Sequence, residues 1–466
     1  LYSAFSAVNR CSLTLTVTLL QTINKKQKLN LEKSGKNLYN KASMGKIKNT
    51  KILINGKKRL SGHVRTAGAK NAALPELAAV ILGRGEFQFR DVPEVEDIRV
   101  MFQALENLGA EGEFYDNSVK IAIPEIKSPL VPKEIVETSR ASILILGPLL
   151  ARNGYAKVSN PGGCAIGERK INYHLDGLRQ MGAEIHEDER HVIAKAHKPL
   201  HAIDYTFPNK TVTGTENLLM AAVLAEGTTV LRNCALEPEV GDLIELLLNM
   251  GADINGKNTG TLIITGKTSL KGAIHHIIPD RIEMGTYVIA GCFEDNDIVV
   301  ENAVPTYVGS LLNILEEIGA RTETGKDTIK IISNGAYKPI DVETSPYPGF
   351  PTDLQAQLTT LLTQVNGVSR IKENIFNNRF QHTHELNKMG ANIEVNRDIS
   401  IITGKTPLTG KTIRGTDLRA SAALVLGGLI ARGQTLIENA YQLFRGYENM
   451  PRKLRQLGAD VKQIEE

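Results

Sequence analysis

The sequence is poor in cysteine. Its 466 residues hold four, at 11, 164, 234 and 292, with no C-x-x-C pair and no Cys/His ligand spacing, which argues against a zinc site and a disulfide framework. A reducing, cytoplasmic setting fits that usage. Long apolar runs are also missing: none approaches the 18 or more residues of a membrane span, and the stretch 141–151 is broken by Gly147 and Pro148. No glycine-rich phosphate loop of either standard spacing occurs, so an ATPase or a dehydrogenase has no support. Charge of one sign is scarce once the amino terminus is set aside. Residues 1–43 carry seven bases against Glu32, and the remainder holds 48 bases and 50 acids, so no global field favours nucleic acid or an anionic membrane. At 42% hydrophobic and 23% charged, with 41 Gly and 18 Pro, the chain also excludes disorder, collagen and coiled coil. What remains is a large globular protein. Residues 1–43 are expected to be a disordered or non-native extension ahead of Met44, with a transit peptide the alternative, disfavoured by Lys in place of Arg.

A short phrase recurs six times: LENLGA, LRQMGA, LLNMGA, LEEIGA, LNKMGA and LRQLGA, with its Gly at 109, 182, 251, 319, 390 and 458. Each copy ends an amphipathic stretch, where glycine lets a helix close in the left-handed conformation. A second mark precedes it: an Ala/Leu-rich helix, a β-branched strand, then Asp91, Asn160, Asn233, Asn302, Asn374 or Asn439. The period of about 70 residues fills the chain from Met44 with six α/β units, each of two helices and several strands. Such units cannot bury their apolar faces alone, and six exceed one ordinary core, so three plus three is the natural division. A hinge is expected near Ile278, Pro279, Asp280 and Arg281. Residues 51–54, the Asn55-Gly56 turn and 57–64 read as a β-hairpin ahead of the first unit.

The segments GAKNAALP (68–75), SRASILILGPLLA (139–151), PGGCAIGER (161–169), PTDLQAQ (351–357), NRFQH (378–382), TDLRASAALV (416–425) and RGYE (445–448) resemble the enolpyruvyl transferase family, in its cell-wall branch. The likeness spans roughly 44–466. It implies two inside-out α/β barrel domains of three repeated units each, with the active site in the interdomain cleft. The chain would cross twice, giving one domain from 70–278 and a second from 44–69 with 279–466. It also implies the reaction: the enolpyruvyl group of phosphoenolpyruvate passes to the 3-hydroxyl of UDP-N-acetylglucosamine with release of phosphate, the first committed step of peptidoglycan synthesis. No cofactor and no metal are implied. The alternatives are a shikimate-pathway enolpyruvyl transferase, disfavoured by Cys164 and GAKNAALP, and a catalytically weak paralogue that binds UDP-sugar.

Phosphoenolpyruvate brings a carboxylate and a phosphate close together, so its site must offer fixed cations, preferably forked ones. By resemblance these are Lys70, Arg169 and Arg445, with Arg140 and Arg419 as further basic groups and Asn71 as a polar contact. Addition also needs a proton at the methylene carbon and a base at the sugar hydroxyl. Cys164, on a Pro-Gly-Gly loop, is by resemblance the proton donor and the thiol alkylated by fosfomycin, whereas Cys234 and Cys292 read as buried small hydrophobes. Asp353 reads from the sequence as the cap of a helix over 354–362, and by resemblance as the group that binds the sugar 3-hydroxyl and takes its proton. Asp417 is either an ion-pair partner of Arg419 or a second carboxylate for proton transfer. The nucleotide is expected on Arg169, Lys170, Ile171, Asn172 and Tyr173, on Lys210, Thr211, Val212 and Thr213, and near Asp353 and Ile375. Asn172, Asn377 and Phe444 depart from the family pattern, the first by removing a carboxylate that would contact the uracil.

Overall fold

The computed structural model describes residues 50–131, 140–159, 171–332 and 335–465. Its helices in chain order are α1 Lys70–Ala79, α2 Glu96–Leu108, α3 Leu146–Asn153, α4 Asn172–Gln180, α5 Val212–Ala222, α6 Pro238–Asn249, α7 Arg281–Gly291, α8 Gly309–Ile318, α9 Gln355–Leu362, α10 Gln381–Lys388, α11 Leu418–Ile430, α12 Tyr441–Phe444 and α13 Met450–Gln456. The recurring glycines all sit where expected. Gly109, Gly182, Gly251, Gly319, Gly390 and Gly458 have φ between 97° and 113°, just past the ends of α2, α4, α6, α8, α10 and α13. A side chain there would be strained, so each phrase is a helix stop.

The other helix of each unit is buried. In α5, α7 and α11, residues 214–222, 282–291 and 419–429 are buried without a break, the pattern of a helix apolar on every side. The sheets lie on the outside of these helices. Five are four-stranded and share one order; in the first, Ile274–His276 runs parallel to Glu86–Arg90, which is followed by Ser118–Ala122 and Glu111–Tyr115 in antiparallel pairing. Two hydrophobic cores result. One gathers buried residues from Ala69 to Ile277, the other those from Ile52 to Val64 together with Ile282 to Val461. The chain is thus a two-domain α/β fold with helices inside and sheets outside.

The Asn/Asp mark has a structural reason. Asn233, Asn302 and Asn439 stand at φ of 52–54° after a central strand, and each donates its side-chain amide to a carbonyl just past the parallel edge strand: Phe207 O at 2.8 Å, Thr66 O at 2.9 Å and Gly415 O at 2.7 Å. Asn374 does the same to Thr344 O at 3.1 Å, and Asp91 instead meets His276 at 3.4 Å. Asn160 lies outside the described residues. The repeated amide therefore fastens the strand that has no turn to fix its register.

The expected amino-terminal hairpin does not form. Lys51–Asn55 lies antiparallel between Gln434–Glu438 and Asp460–Ile464, completing the last unit, and Ser61–Arg65 lies parallel to Asp297–Glu301 in the fourth. Gly56 is required by close approach rather than by a two-residue turn: a Cβ there would stand 2.1 Å from Ala431 O. An Asn-Gly pair carries the same sequence signal in either case.

Between the cores the chain passes twice, and the two passages pair with each other. Ala69 N donates to Ile278 O at 2.7 Å and Asp280 N to Ala67 O at 2.9 Å. Asp280 caps α7 through Ile282 N and Glu283 N, and its other oxygen accepts the Lys70 amide at 3.3 Å, so the segment expected to be a hinge also fixes the start of α1. Beneath it, Asp242 accepts Ile278 N at 3.0 Å and faces His275 Nε2 at 3.1 Å, with buried Glu76 at 3.5 Å from the same nitrogen. Burial opposes the His275 imidazolium, but Asp242 and Glu76 outweigh it and raise the group to about 10. Burial pushes the Glu76 carboxyl well above its ordinary range. The upward His275 shift gives a contribution that is full below the unfolded His pKa and fades as pH climbs towards 10, while the raised Glu76 carboxyl costs stability from the unfolded carboxyl pKa upward. His275→Gln is expected to lower urea stability clearly at pH 6 and much less at pH 10; an equal loss at both pH values would contradict this.

Candidate active site

Lys70, Asp97 and Arg445 meet where the two domains join. Lys70 opens α1, Asp97 lies in the first turn of α2, and Arg445 follows α12 at the far end of the chain. Lys70 Nζ donates to Asp97 Oδ2 at 3.1 Å; Arg445 Nε donates to Oδ1 at 3.1 Å and Nη2 to Oδ2 at 3.4 Å. Lys70 and Asp97 are buried. Burial lowers the Lys70 ammonium, Asp97 opposes that, and Arg419 and Arg445 push it down further. Burial alone would raise Asp97, yet Lys70 and Arg445 hold it below the usual carboxylate range. One carboxylate thus gathers two cations brought from opposite domains.

Asp353 gathers two more. Its Oδ1 accepts Arg379 Nη2 at 2.8 Å and its Oδ2 accepts Arg419 Nε at 3.0 Å and Nη2 at 2.9 Å. Asp353 does not hold the cap position of α9: it lies in the short turn Thr352–Leu354, and Leu354 stands at that cap. Both guanidiniums are buried, so the carboxylate is the compensating charge they require. Arg419 also lies over the Tyr447 ring at 5.3 Å, and its buried Nη1 meets no hydrogen-bond acceptor among the described residues. Burial works against the Arg419 cation, but Asp353 beside it raises the group above its ordinary value. Asp417 is not the partner of the Arg419 guanidinium; its Oδ1 caps α11 by accepting the Arg419 and Ala420 amides at 2.9 and 3.0 Å. The cap fixes the turn from which Arg419 projects.

Of the segments expected to hold a nucleotide, 171–173 and 210–213 come together. Ile171 precedes α4, where Asn172 is exposed and the Tyr173 hydroxyl accepts Asn209 Nδ2 at 2.8 Å. Lys210 is exposed, Thr211 caps α5 through Gly214 N at 3.2 Å, Val212 begins that helix, and Thr213 Oγ1 lies 3.3 Å from His174 Nε2. Asn217 joins His174 to Ile143 O, in the turn Arg140–Ile145, so α4, α5 and that turn share one anchor. Asn71 follows Lys70 on α1, half-buried. Ile375 is 37% exposed on a loop ordered by Glu373, whose Oε1 accepts Ile375 N at 2.9 Å and whose Oε2 accepts Thr352 Oγ1 at 2.8 Å. Cys164, Arg169 and Lys170 lie outside the described residues, as does the side chain of Arg140. Cys234 and Cys292 are buried, and burial raises their thiols to about 11 and about 12, as inert core cysteines require.

Sequence reasoning missed Asp97 and Arg379. Asp97 follows Glu96 at a helix start, where acids are common for reasons of the helix dipole, and only the fold reveals its partners. Arg379 stands inside the NRFQH segment, but nothing local tells that it reaches Asp353.

The model of the EPSP synthase (3-phosphoshikimate 1-carboxyvinyltransferase) family matches residues 54–454. The enolpyruvyl transferase NikO from Streptomyces tendae superposes with a TM-score of 0.81 at 24% identity, over 90% of this chain and 99% of that one. EPSP synthase from Acinetobacter baumannii gives 0.68 at 18% identity, over 89% and 100%. The two α/β domains therefore have the fold of these enolpyruvyl transferases, and the family model places the chain in the EPSP synthase family. Among curated proteins, the UDP-N-acetylglucosamine 1-carboxyvinyltransferase of Koribacter versatilis is 48% identical over 89% of this chain and 97% of its own length, and that of Solibacter usitatus 46% over 89% and 100%. The chain belongs to the UDP-N-acetylglucosamine 1-carboxyvinyltransferase family.

Removing the Asp97 charge leaves Lys70 facing Arg445 and Arg419 alone, which favours the neutral amine. Asp97→Asn is expected to make Lys70 several-fold more reactive towards an amine acylating reagent at pH 8, read by peptide mass spectrometry. Unchanged labelling would contradict the shared-charge arrangement.

Proposed function

We propose that this chain transfers the enolpyruvyl group of phosphoenolpyruvate to the 3-hydroxyl of UDP-N-acetylglucosamine, releasing phosphate. The observation that carries the reading is the convergence of Lys70 and Arg445, from opposite domains, on one carboxylate beside buried Arg419, whose Nη1 meets no acceptor among the described residues. A trianionic small molecule is what such a cluster can hold, because Arg offers forked donors and Lys a compact charge. Arg169 and Arg140 complete the cationic set in this reading, and Asn71 adds a polar contact.

In the addition step Asp353 takes the proton of the sugar hydroxyl, the oxygen bonds to the central carbon of the enol ester, and Cys164 gives a proton to the methylene carbon. Arg379 and Arg419 fix the directions of the Asp353 oxygens. The cations stabilise charge on the phosphate as the bond to it weakens. In the elimination step a proton leaves the new methyl group and the carbon–oxygen bond to phosphate breaks, restoring the double bond. Asp417, which caps α11, is the second carboxylate available for proton transfer. The nucleotide lies against 169–173 and 210–213, with Ile375 at its edge. We place one domain at 70–278 and the other at 44–69 with 279–466. No helix among the described residues is long and apolar enough to cross a membrane, and we assign the enzyme to the cytoplasm, with no nucleic-acid partner.

Phosphate release tests the reading directly. It is expected with phosphoenolpyruvate and UDP-N-acetylglucosamine, not with shikimate 3-phosphate as acceptor, and is expected to be blocked by fosfomycin. Cys164→Ser is expected to reduce release at least 100-fold and to abolish alkylation by fosfomycin while the thermal transition stays put; alkylation retained in that variant would overturn the role of Cys164.

A further inference from the structure

The Arg-Gly-Tyr-Glu segment that supplies Arg445 ends in a carboxylate for which the reaction has no use. Glu448 Oε1 accepts the backbone amide of Glu94 at 2.8 Å and, in a short bond, the side-chain amide of Asn117. Both partners belong to the first domain. Glu94 lies in the loop that leads into α2, three residues before Asp97. Asn117 occupies the tip of the hairpin between Glu111–Tyr115 and Ser118–Ala122, at φ 55°, and is itself tied to that loop: its amide also donates to Val92 O at 2.9 Å, and its carbonyl accepts Val92 N at 2.8 Å.

The four residues therefore grip one loop twice with opposite signs. Arg445 presents its cation to the Asp97 carboxylate, and Glu448 presents its anion to the Glu94 N–H. Between them Tyr447 is buried, its hydroxyl within 2.8 Å of Thr286 Oγ1 and 3.0 Å of Gln357 Nε2, and Gly446 passes so close to α11 that a Cβ would stand 2.8 Å from Leu418 Cδ2. The segment is thus immobilised on the second domain while its two charged ends reach the first. A charged acceptor shared by two N–H donors is among the stronger hydrogen-bonding arrangements.

We propose that Glu448 is a positioning residue: by clasping Glu94 and Asn117 across the domain junction it sets the distance at which Lys70 and Arg445 share Asp97, and so tunes the site for the small anion rather than for the nucleotide. The role rests on the function proposed above. Among the described residues, Glu448 meets none of the segments assigned to UDP-N-acetylglucosamine.

The test uses the full chain and two readouts. In steady-state phosphate release, Glu448→Ala is expected to raise KM for phosphoenolpyruvate about tenfold, roughly 1.4 kcal/mol, with KM for UDP-N-acetylglucosamine within twofold and the melting temperature nearly unchanged. Glu448→Gln keeps the acceptor oxygen and is expected to restore most of that loss. Asn117→Ala is expected to act in the same direction, and the double variant Glu448→Ala with Asn117→Ala to be little worse than the poorer single one. Equal effects on both substrates, or no effect on either, would overturn the proposal. Hydrogen exchange separates this failure from that of the underlying function: if the unmodified chain releases no phosphate the enzymatic reading falls, whereas the clasp itself fails if the Glu94 amide exchanges no faster in Glu448→Ala.

Discussion

One carboxylate holds the site together. Asp97 is buried, and burial of a lone negative charge is prohibitive, so the fold must deliver cations to it. It takes Lys70 from its own domain and Arg445 from the other. The converse also holds, since buried Lys70 and half-buried Arg445, within reach of a third cation, Arg419, repel one another and need an anion between them. The protein meets that need with its own carboxylate, and two cations against one anion leave the group net positive, as the proposed binding of a small polyanion requires.

The same logic shapes the neighbouring cluster. Arg379 and Arg419 are buried and Asp353 neutralises part of their charge, so a single acid is at once structural counter-ion and candidate base. Both of its oxygens accept guanidinium N–H groups, and Leu354 stands at the cap of α9. Asp417, by contrast, spends its carboxylate on the cap of α11. Around these groups, Tyr447 supplies a ring face for Arg419 and a hydroxyl for Thr286 and Gln357, which lets a polar network sit within the second apolar core.

Much of the fold was legible because it repeats. A helix-ending glycine leaves a mark that six copies make unmistakable, and all six positions carry the positive φ that the residue type implied. The Asn mark was visible but not its purpose, since fastening a parallel edge strand is a contact between segments some 20 or more residues apart. The misread hairpin shows the limit of local signals: Asn55-Gly56 satisfies the turn pattern, yet its glycine answers to a helix almost 400 residues away. For the site, the motifs pointed to Lys70, Asp353, Arg419 and Arg445, and the fold brings these four into two adjoining clusters. Asp97 and Arg379 stayed hidden because neither has an unusual neighbour in sequence; what distinguishes them is burial beside a charge of the opposite sign.

The central claim is that Lys70 and Arg445 act as one anion-binding unit through Asp97, and a double-substitution cycle on phosphoenolpyruvate binding tests it most directly. Calorimetric titration of the full chain preloaded with UDP-N-acetylglucosamine would compare Lys70→Ala, Arg445→Ala and the pair. Strong coupling is predicted, each single change costing most of the affinity and the second adding little. Losses that simply add, as for two cations acting independently, would contradict the account.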